Sequence, residues 1–229
     1  MIGEVGTVGG LFGATGQLAL GDELVKGRGL SQWHTPPRLV HRVVHALVGA
    51  SWLFGKHVVE PSAGGGAFVD ALLEVIGEFG RVTAVELDLA WAAHLRARYA
   101  YDPRVTIVEG DYLTTRIQCD IVLGNPPYED GLDCAFMAHA LDCAGRFAFV
   151  LQSRVLHGRE REDRVWSRAC VRDQGVCVGR PSFGGGSAKG EFSAFRVSLM
   201  QEQEATDYRA TGVRPLRGEQ RWADDWSGT

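Results

Sequence analysis

At 229 residues the chain is long enough for one domain with a full core, and its 45% hydrophobic and 23% charged content is that of a globular protein. No stretch reaches the roughly 18 consecutive apolar residues of a membrane span, so no membrane association is expected, and the glycine-rich start MIGEVGTVGGLFGATGQLAL lacks the basic residues of a signal peptide. A net charge of −4 argues against a generic nucleic-acid binder, and five cysteines without a CxxC pair argue against zinc or disulfide frameworks and for a reducing cytoplasm.

Residues 1–30 are rich in glycine, poor in apolar periodicity, and read as a loosely ordered arm. GLSQWHTPP then precedes RLVHRVVHALV, whose Leu39, Val40, Val43, Val44, Leu47 and Val48 make an apolar stripe at helical spacing. Thr35 has the chemistry of an N-cap and Pro36 that of a first helical residue. His57 to Glu60 is a short buried strand that opens into Pro61-Ser62-Ala63-Gly64-Gly65-Gly66-Ala67-Phe68 and a helix, VDALLEVIGEF. Such a loop lets a ligand approach the backbone and meet helix N–H groups. Neither the G-x-G-x-x-G spacing of a dinucleotide site nor the Lys-Ser/Thr of a P-loop is present. Glu60 closes the strand instead, so a zwitterionic or cationic ligand suits the loop better than a polyphosphate.

The second strand, Arg81 to Asp88, carries Glu86 at the position that meets ribose hydroxyls in a βαβ nucleoside site. The helix LAWAAHLRARYA leads to a third strand, Val105 to Glu109, followed by Gly110-Asp111-Tyr112-Leu113, where Asp111 suits the exocyclic amine of adenine. The fourth strand, Cys119 to Leu123, runs into Gly124-Asn125-Pro126-Pro127-Tyr128. Prolines lack an N–H and have a locked φ, so they stop the strand and hold a side-chain amide and a carbonyl at its carboxyl end. Two adjacent acceptors suit an amino group that must give up conjugation before it attacks an electrophile. The Tyr128 ring offers a face for stacking on a planar substrate. A bare Pro-Pro turn would look the same in isolation, but three strands ending in acids and a fourth in an amide do not.

LDCAFMAHALDCAG is an amphipathic helix, Arg146 to Leu151 a fifth strand, and 158–164 an exposed helix start or loop. Val176 to Val178 and Phe192 to Leu199 are closing strands with a loop, Arg180 to Gly186, between them; residues 201–229 form a polar tail. The alternation of strands and helices reads as one α/β domain over 31–200. Residues 1–130 hold 10 Lys/Arg against 15 Asp/Glu, whereas 146–180 holds eight arginines against four acids. Arg159 and Arg161 in that cluster fit a phosphate-facing surface, and solvated helix faces give the same pattern.

Taken in order, QWHTPP, VVEPSAGGGAF, AVELD, EGDYL, VLGNPPY and RPSFGGG resemble the S-adenosylmethionine-dependent amino-methyltransferases of DNA whose cofactor motifs precede the catalytic motif. The resemblance covers roughly residues 29–200. It implies a single Rossmann-like class I methyltransferase domain, with a mostly parallel seven-stranded sheet and helices on both faces. It implies Thr35 and Trp33 near the methionine carboxylate of the cofactor, and Glu60, Ser62, Gly64 and Gly66 along its methionine half. Glu86 falls on the ribose and Asp111 with Tyr112 at the adenine edge. Asn125, between cofactor and substrate, and the Pro126 carbonyl accept hydrogens from the target amine. Pro127 and Tyr128 lie against a target base flipped from its helix, and Phe183 packs on that base or in the core.

The implied reaction is methylation of adenine N6, without metal, on DNA in preference to RNA. An RNA adenine methyltransferase, a protein glutamine methyltransferase and a catalytically idle cofactor-binding subunit are the alternatives. Family members usually carry a long recognition domain, and only about 30 residues follow position 200. Low sequence selectivity is therefore expected unless a homodimer partner or a recognition subunit supplies base contacts.

Overall fold

The computed structural model describes residues 35–177, 191–200 and 213–216. The N-terminal arm, Trp33, the 180–186 loop with Phe183, and the rest of the C-terminal segment lie outside the described residues.

Eight strands form one sheet: β1 (His57–Glu60), β2 (Arg81–Glu86), β3 (Val105–Glu109), β4 (Ile121–Gly124), β5 (Arg146–Gln152), β6 (Ala169–Cys177), β7 (Phe192–Leu199) and β8 (Val213–Leu216). Their order is β3-β2-β1-β4-β5-β7-β6-β8. The first five run parallel, and β7 inserts antiparallel between β5 and β6. The eighth strand pairs parallel with β6 and falls within a segment whose polarity hid it from sequence reading. The central strands show why the sheet has this depth. IVLG in β4 and FAFVL in β5 are buried without alternation, as strands covered on both faces must be.

Helices cover both faces. α1 (Pro37–His41) continues as a π-helical stretch, Arg42–Val48, whose Val43, Val44, Leu47 and Val48 enter the core. α2 (Ala50–Leu53) and α3 (Ala67–Leu73) follow. α4 (Leu89–Arg98) begins at Asp88, whose Oδ1 accepts the N–H groups of Ala90 at 2.8 Å and Trp91 at 3.2 Å. α5 (Leu132–Ala144) buries one face on the sheet and ends at Gly145, whose positive φ suits a C-terminal glycine.

Two local expectations change. Thr35 does not cap α1; Pro36 holds the cap position, and its carbonyl accepts Leu39 N–H at 2.9 Å and Val40 N–H at 3.1 Å. The Thr35 hydroxyl is drawn instead to the amide of Asn125. β6 starts seven residues earlier than the strand expected at Val176, because its polar positions are accommodated in the sheet. Asp173 is buried beside a bulge, with its carboxylate 3.5 Å from the Arg196 guanidinium on β7.

β1 and β4 are sheet neighbours although two strands separate them in the chain. The strand order reverses there, and the connections leave on opposite faces, opening a crevice at the carboxyl ends of the strands. The glycine loop after β1 and the Asn125 segment after β4 meet at that crevice.

Candidate active site

Asn125 sits half-buried at the carboxyl end of β4, between buried Gly124 and buried Pro126. Its Nδ2 donates to Thr35 Oγ1 at 2.8 Å, a bond that spans 90 positions of sequence. Its backbone carbonyl accepts the Ser62 hydroxyl at 3.1 Å, tying the segment after β4 to the glycine loop. Its Oδ1 accepts a hydrogen bond from the Tyr128 hydroxyl. The two side-chain contacts are mutually consistent with one amide orientation, in which Nδ2 is locked and Oδ1 faces Tyr128.

Tyr128 departs from the open stacking platform that the sequence led us to expect. The side chain is only 6% exposed and packs on Phe192 of β7, with ring centroids 5.4 Å apart and planes tilted by 57°. Burial pushes its phenol up, with the bond to Asn125 opposing the rise. The hydroxyl therefore stays protonated and occupies the Asn125 amide oxygen.

The glycine loop is held from several sides. Glu60 lies fully buried against the Cα of Gly124, where a Cβ would collide with its carboxylate. Its Oε1 accepts Ser62 N–H at 3.3 Å, while Oε2 is buried with no partner. Burial holds the Glu60 carboxyl well above the usual carboxylate range; the Ser62 N–H opposes this and nearby Glu86 adds to it. Gly64 has φ +49° and donates its N–H to Glu86 Oε2 at 2.7 Å, and Glu86 Oε1 accepts Asp88 N–H at 2.8 Å. Burial raises the Glu86 carboxyl, with these N–H groups pulling against it. Gly66 has φ +88°, and a Cβ there would press on the Tyr99 hydroxyl and Leu95. Tyr99 donates to Gly66 O at 3.0 Å and Asp70 Oδ1 at 2.7 Å, and Arg98 reaches Gly65 O at 3.1 Å. The pins from α4 were invisible in the sequence, since no local pattern marks a helix residue that holds a loop 33 positions away.

The remaining predicted residues divide. Asp111 is exposed after β3 and its Oδ1 accepts Leu113 N–H at 2.9 Å, leaving the carboxylate at the crevice rim. Tyr112 differs from expectation: its ring is buried against Phe136 and His139 of α5, so its side chain belongs to the core. Arg161 is also reassigned. Its Nη2 lies 3.0 and 2.8 Å from the two carboxylate oxygens of Asp133, which is fully buried in α5, so it is a structural partner and not a free phosphate contact. Arg164 and Arg168 are likewise paired, with Glu160 and Asp142. Arg159, in the short helix α6 (Arg159–Arg161), and Arg154 are exposed. Pro127 is half-buried beside a cleft of 420 Å³ lined by Tyr128, Glu129, Asp130, Gln152, Arg154 and Arg161. That volume suits a small-molecule or nucleobase site. The five thiols are free, and burial raises Cys119 and Cys177 to about 12, which makes them poor nucleophiles. Among the described residues, no helix is long and apolar enough to cross a membrane.

No protein-family model matches the chain. The chain is 31% identical over 145 residues to the ribosomal RNA small subunit methyltransferase A of Geobacter sulfurreducens, a match that covers 59% of this chain and 51% of that protein. The chain thus spans about half the length of this relative. Among solved structures, a 23S rRNA methyltransferase aligns with TM-score 0.56 and 20% identity over 74% of this chain and 70% of its own. The methyltransferase subunit of a type I restriction-modification system from Streptococcus thermophilus aligns with TM-score 0.60 and 16% identity, over 84% of this chain and 51% of its own. The fold is that of a Rossmann-like α/β methyltransferase domain.

Proposed function

We propose that this chain transfers a methyl group from S-adenosylmethionine to the exocyclic amino group of adenine in RNA. The observation that carries the reading is Asn125, an amide locked by Thr35 at the sheet's switch point, with its oxygen held by Tyr128, a residue that lines the adjoining cleft. The sequence motifs favoured DNA; two considerations move the preference to RNA. The relative that shares 31% identity is a ribosomal RNA methyltransferase. Arg161 is committed to buried Asp133, and Arg164 and Arg168 lie in exposed pairs with Glu160 and Asp142, which reduces the free positive charge on that face. An unstacked base in an RNA loop asks less of such a surface than extraction from a duplex.

The crevice fits the cofactor on the chain's own terms. Glu60 Oε2 is a buried acceptor without a partner, placed where a cationic amino group would satisfy it. Glu86 and Asp111, after the next two strands, provide carboxylates in line for ribose hydroxyls and an adenine edge. S-adenosylmethionine supplies an electrophilic methyl group. Asn125 Oδ1 and the Pro126 carbonyl then act on the target amine. Its lone pair is delocalised into the ring, and two oriented acceptors favour the tetrahedral nitrogen and stabilise the positive charge that grows during in-line transfer. Pro126 and Pro127 stiffen the backbone that holds these acceptors. Tyr128, once off Asn125, presents its ring to the base and excludes water from the acceptor pair. Site selectivity is low for the isolated chain, with a homodimer partner or recognition subunit supplying further contacts.

Tritiated methyl transfer to structured RNA, single-stranded RNA, duplex DNA, single-stranded DNA and protein, each followed by nucleoside or amino-acid analysis, tests this directly. The expected product is N6-methyladenosine from RNA. Label confined to DNA would return the substrate to the class that the motifs first indicated, and label on glutamine would overturn the nucleic-acid reading.

A further inference from the structure

Away from the crevice, α1 and its π-helical continuation bring two imidazoles and a carboxylate together. His41 and His45 are four residues apart, and their rings stack with centroids 3.8 Å apart and planes inclined by 15°. Glu74 caps the end of α3, which packs against α1. His45 Nε2 lies 3.0 Å and His41 Nε2 3.7 Å from the same oxygen, Glu74 Oε2. All three ligand atoms fall within 4.8 Å of one another. We propose that His41, His45 and Glu74 form a binding site for one borderline transition-metal dication of the Zn2+ class.

The donor geometry carries the inference. A tetrahedral Zn2+ with bonds of about 2.0–2.1 Å needs donors about 3.3–3.5 Å apart. The two spacings to Glu74 bracket that range, and the stacked rings must splay about their side-chain torsions so that both in-plane lone pairs converge on the ion. Two imidazoles with one carboxylate suit Zn2+, Ni2+ or Cu2+ and disfavour Mg2+ and Ca2+, which prefer all-oxygen shells. The two rings are about 30% exposed and Glu74 about half exposed, so ions can enter and water can complete the shell. The ion takes the place of the proton bridging His45 and Glu74, which moves to the far ring nitrogen of His45. Sequence reading found no metal motif, because the third ligand lies 29 positions beyond His45.

The site is structural in placement. α1 begins beside Thr35, which holds the Asn125 amide, and α3 begins at Gly66 of the glycine loop. An ion at the far ends of both helices clamps together the two segments that shape the crevice.

The test titrates the full metal-free chain with Co2+, followed by its visible d–d absorption, and then displaces it with Zn2+. One ion per chain is expected, with a rise of about 5–10 °C in melting temperature at a hundredfold excess over Kd. His45→Ala and, separately, Glu74→Gln should weaken binding by about a hundredfold or more, since losing an outer partner alone costs 10–100-fold. His94→Ala, which alters a histidine edge-on to Trp91 on α4, should bind as the parent does. Absence of stoichiometric binding, or equal binding by the parent, His45→Ala and Glu74→Gln, overturns the site. Circular dichroism of the two variants separates loss of a ligand from loss of the fold.

Discussion

Replacing Thr35 with valine removes one hydroxyl while keeping volume and branching. Thr35 is 9% exposed, and its Oγ1 receives the Asn125 Nδ2 hydrogen at 2.8 Å. Without it, a partly buried amide donor is left unsatisfied, at a cost of about 1–3 kcal/mol. The amide is then free to turn, and each turn removes Oδ1 from the substrate amine. If that cost falls on the productive orientation, turnover at saturating cofactor drops about 5–150-fold. Cofactor affinity should hold, because the bond acts on Asn125 and not on the methionine half. Thr35→Ser retains the hydroxyl and should stay within a few-fold of the parent. Single-turnover methyl transfer, paired with calorimetric titration of S-adenosylmethionine, reads both quantities. A Thr35→Val chain that loses cofactor affinity while keeping its saturated rate would refute the reasoning and place Thr35 on the cofactor carboxylate, as family resemblance implies.

Asn125→Ala should lower transfer by about 100-fold or more, by analogy with a lost oxyanion donor, with cofactor affinity intact; near-normal turnover would refute the acceptor mechanism. Tyr128→Phe frees Asn125 Oδ1 while retaining the ring, so its rate should equal or exceed the parent's, whereas Tyr128→Ala should raise KM for RNA; a Phe variant as impaired as the Ala variant would mean that the hydroxyl itself is needed. Burial raises the Glu60 pKa in the folded state above its ordinary 4.5, so the free chain is stabilised by this group below that value and loses that stability as pH climbs through the folded pKa. Glu60→Gln should abolish that fall in denaturant-melting experiments and weaken cofactor binding; an unchanged pH profile would argue against a buried, unpartnered carboxyl. Arg161→Ala should destabilise the chain by about 3–5 kcal/mol by stranding buried Asp133, whereas Arg159→Glu should leave stability alone and reduce RNA affinity about equally for all sequences, with a shallower salt dependence. Parallel melting curves and binding isotherms check this division of labour.

What the sequence determined by itself is local. Apolar, β-branched runs broken by turn chemistry located β1, β3, β5 and β7 to within a residue or so, because such residues favour strands whether the strand is central or, like β3, at the edge. The residues at the ends of β1, β2 and β4, namely Glu60, Glu86 and Asn125, were legible as breaks in such apolar runs. Long-range pairing was not. The meeting of Thr35 with Asn125, and of Ser62 with the Asn125 carbonyl, depends on β1 lying beside β4, and no window of sequence encodes which strands become neighbours. Burial of charge was also hidden. Arg161 read as a phosphate-facing cation until the fold set buried Asp133 opposite it. Tyr128 shows the limit most clearly. Composition identified a ring beside an amide, but only packing on Phe192 of β7 turned that ring inward and placed its hydroxyl on the amide oxygen. A side chain's chemistry is a property of its residue type, whereas the partner that engages it is settled by which distant segments the core brings together.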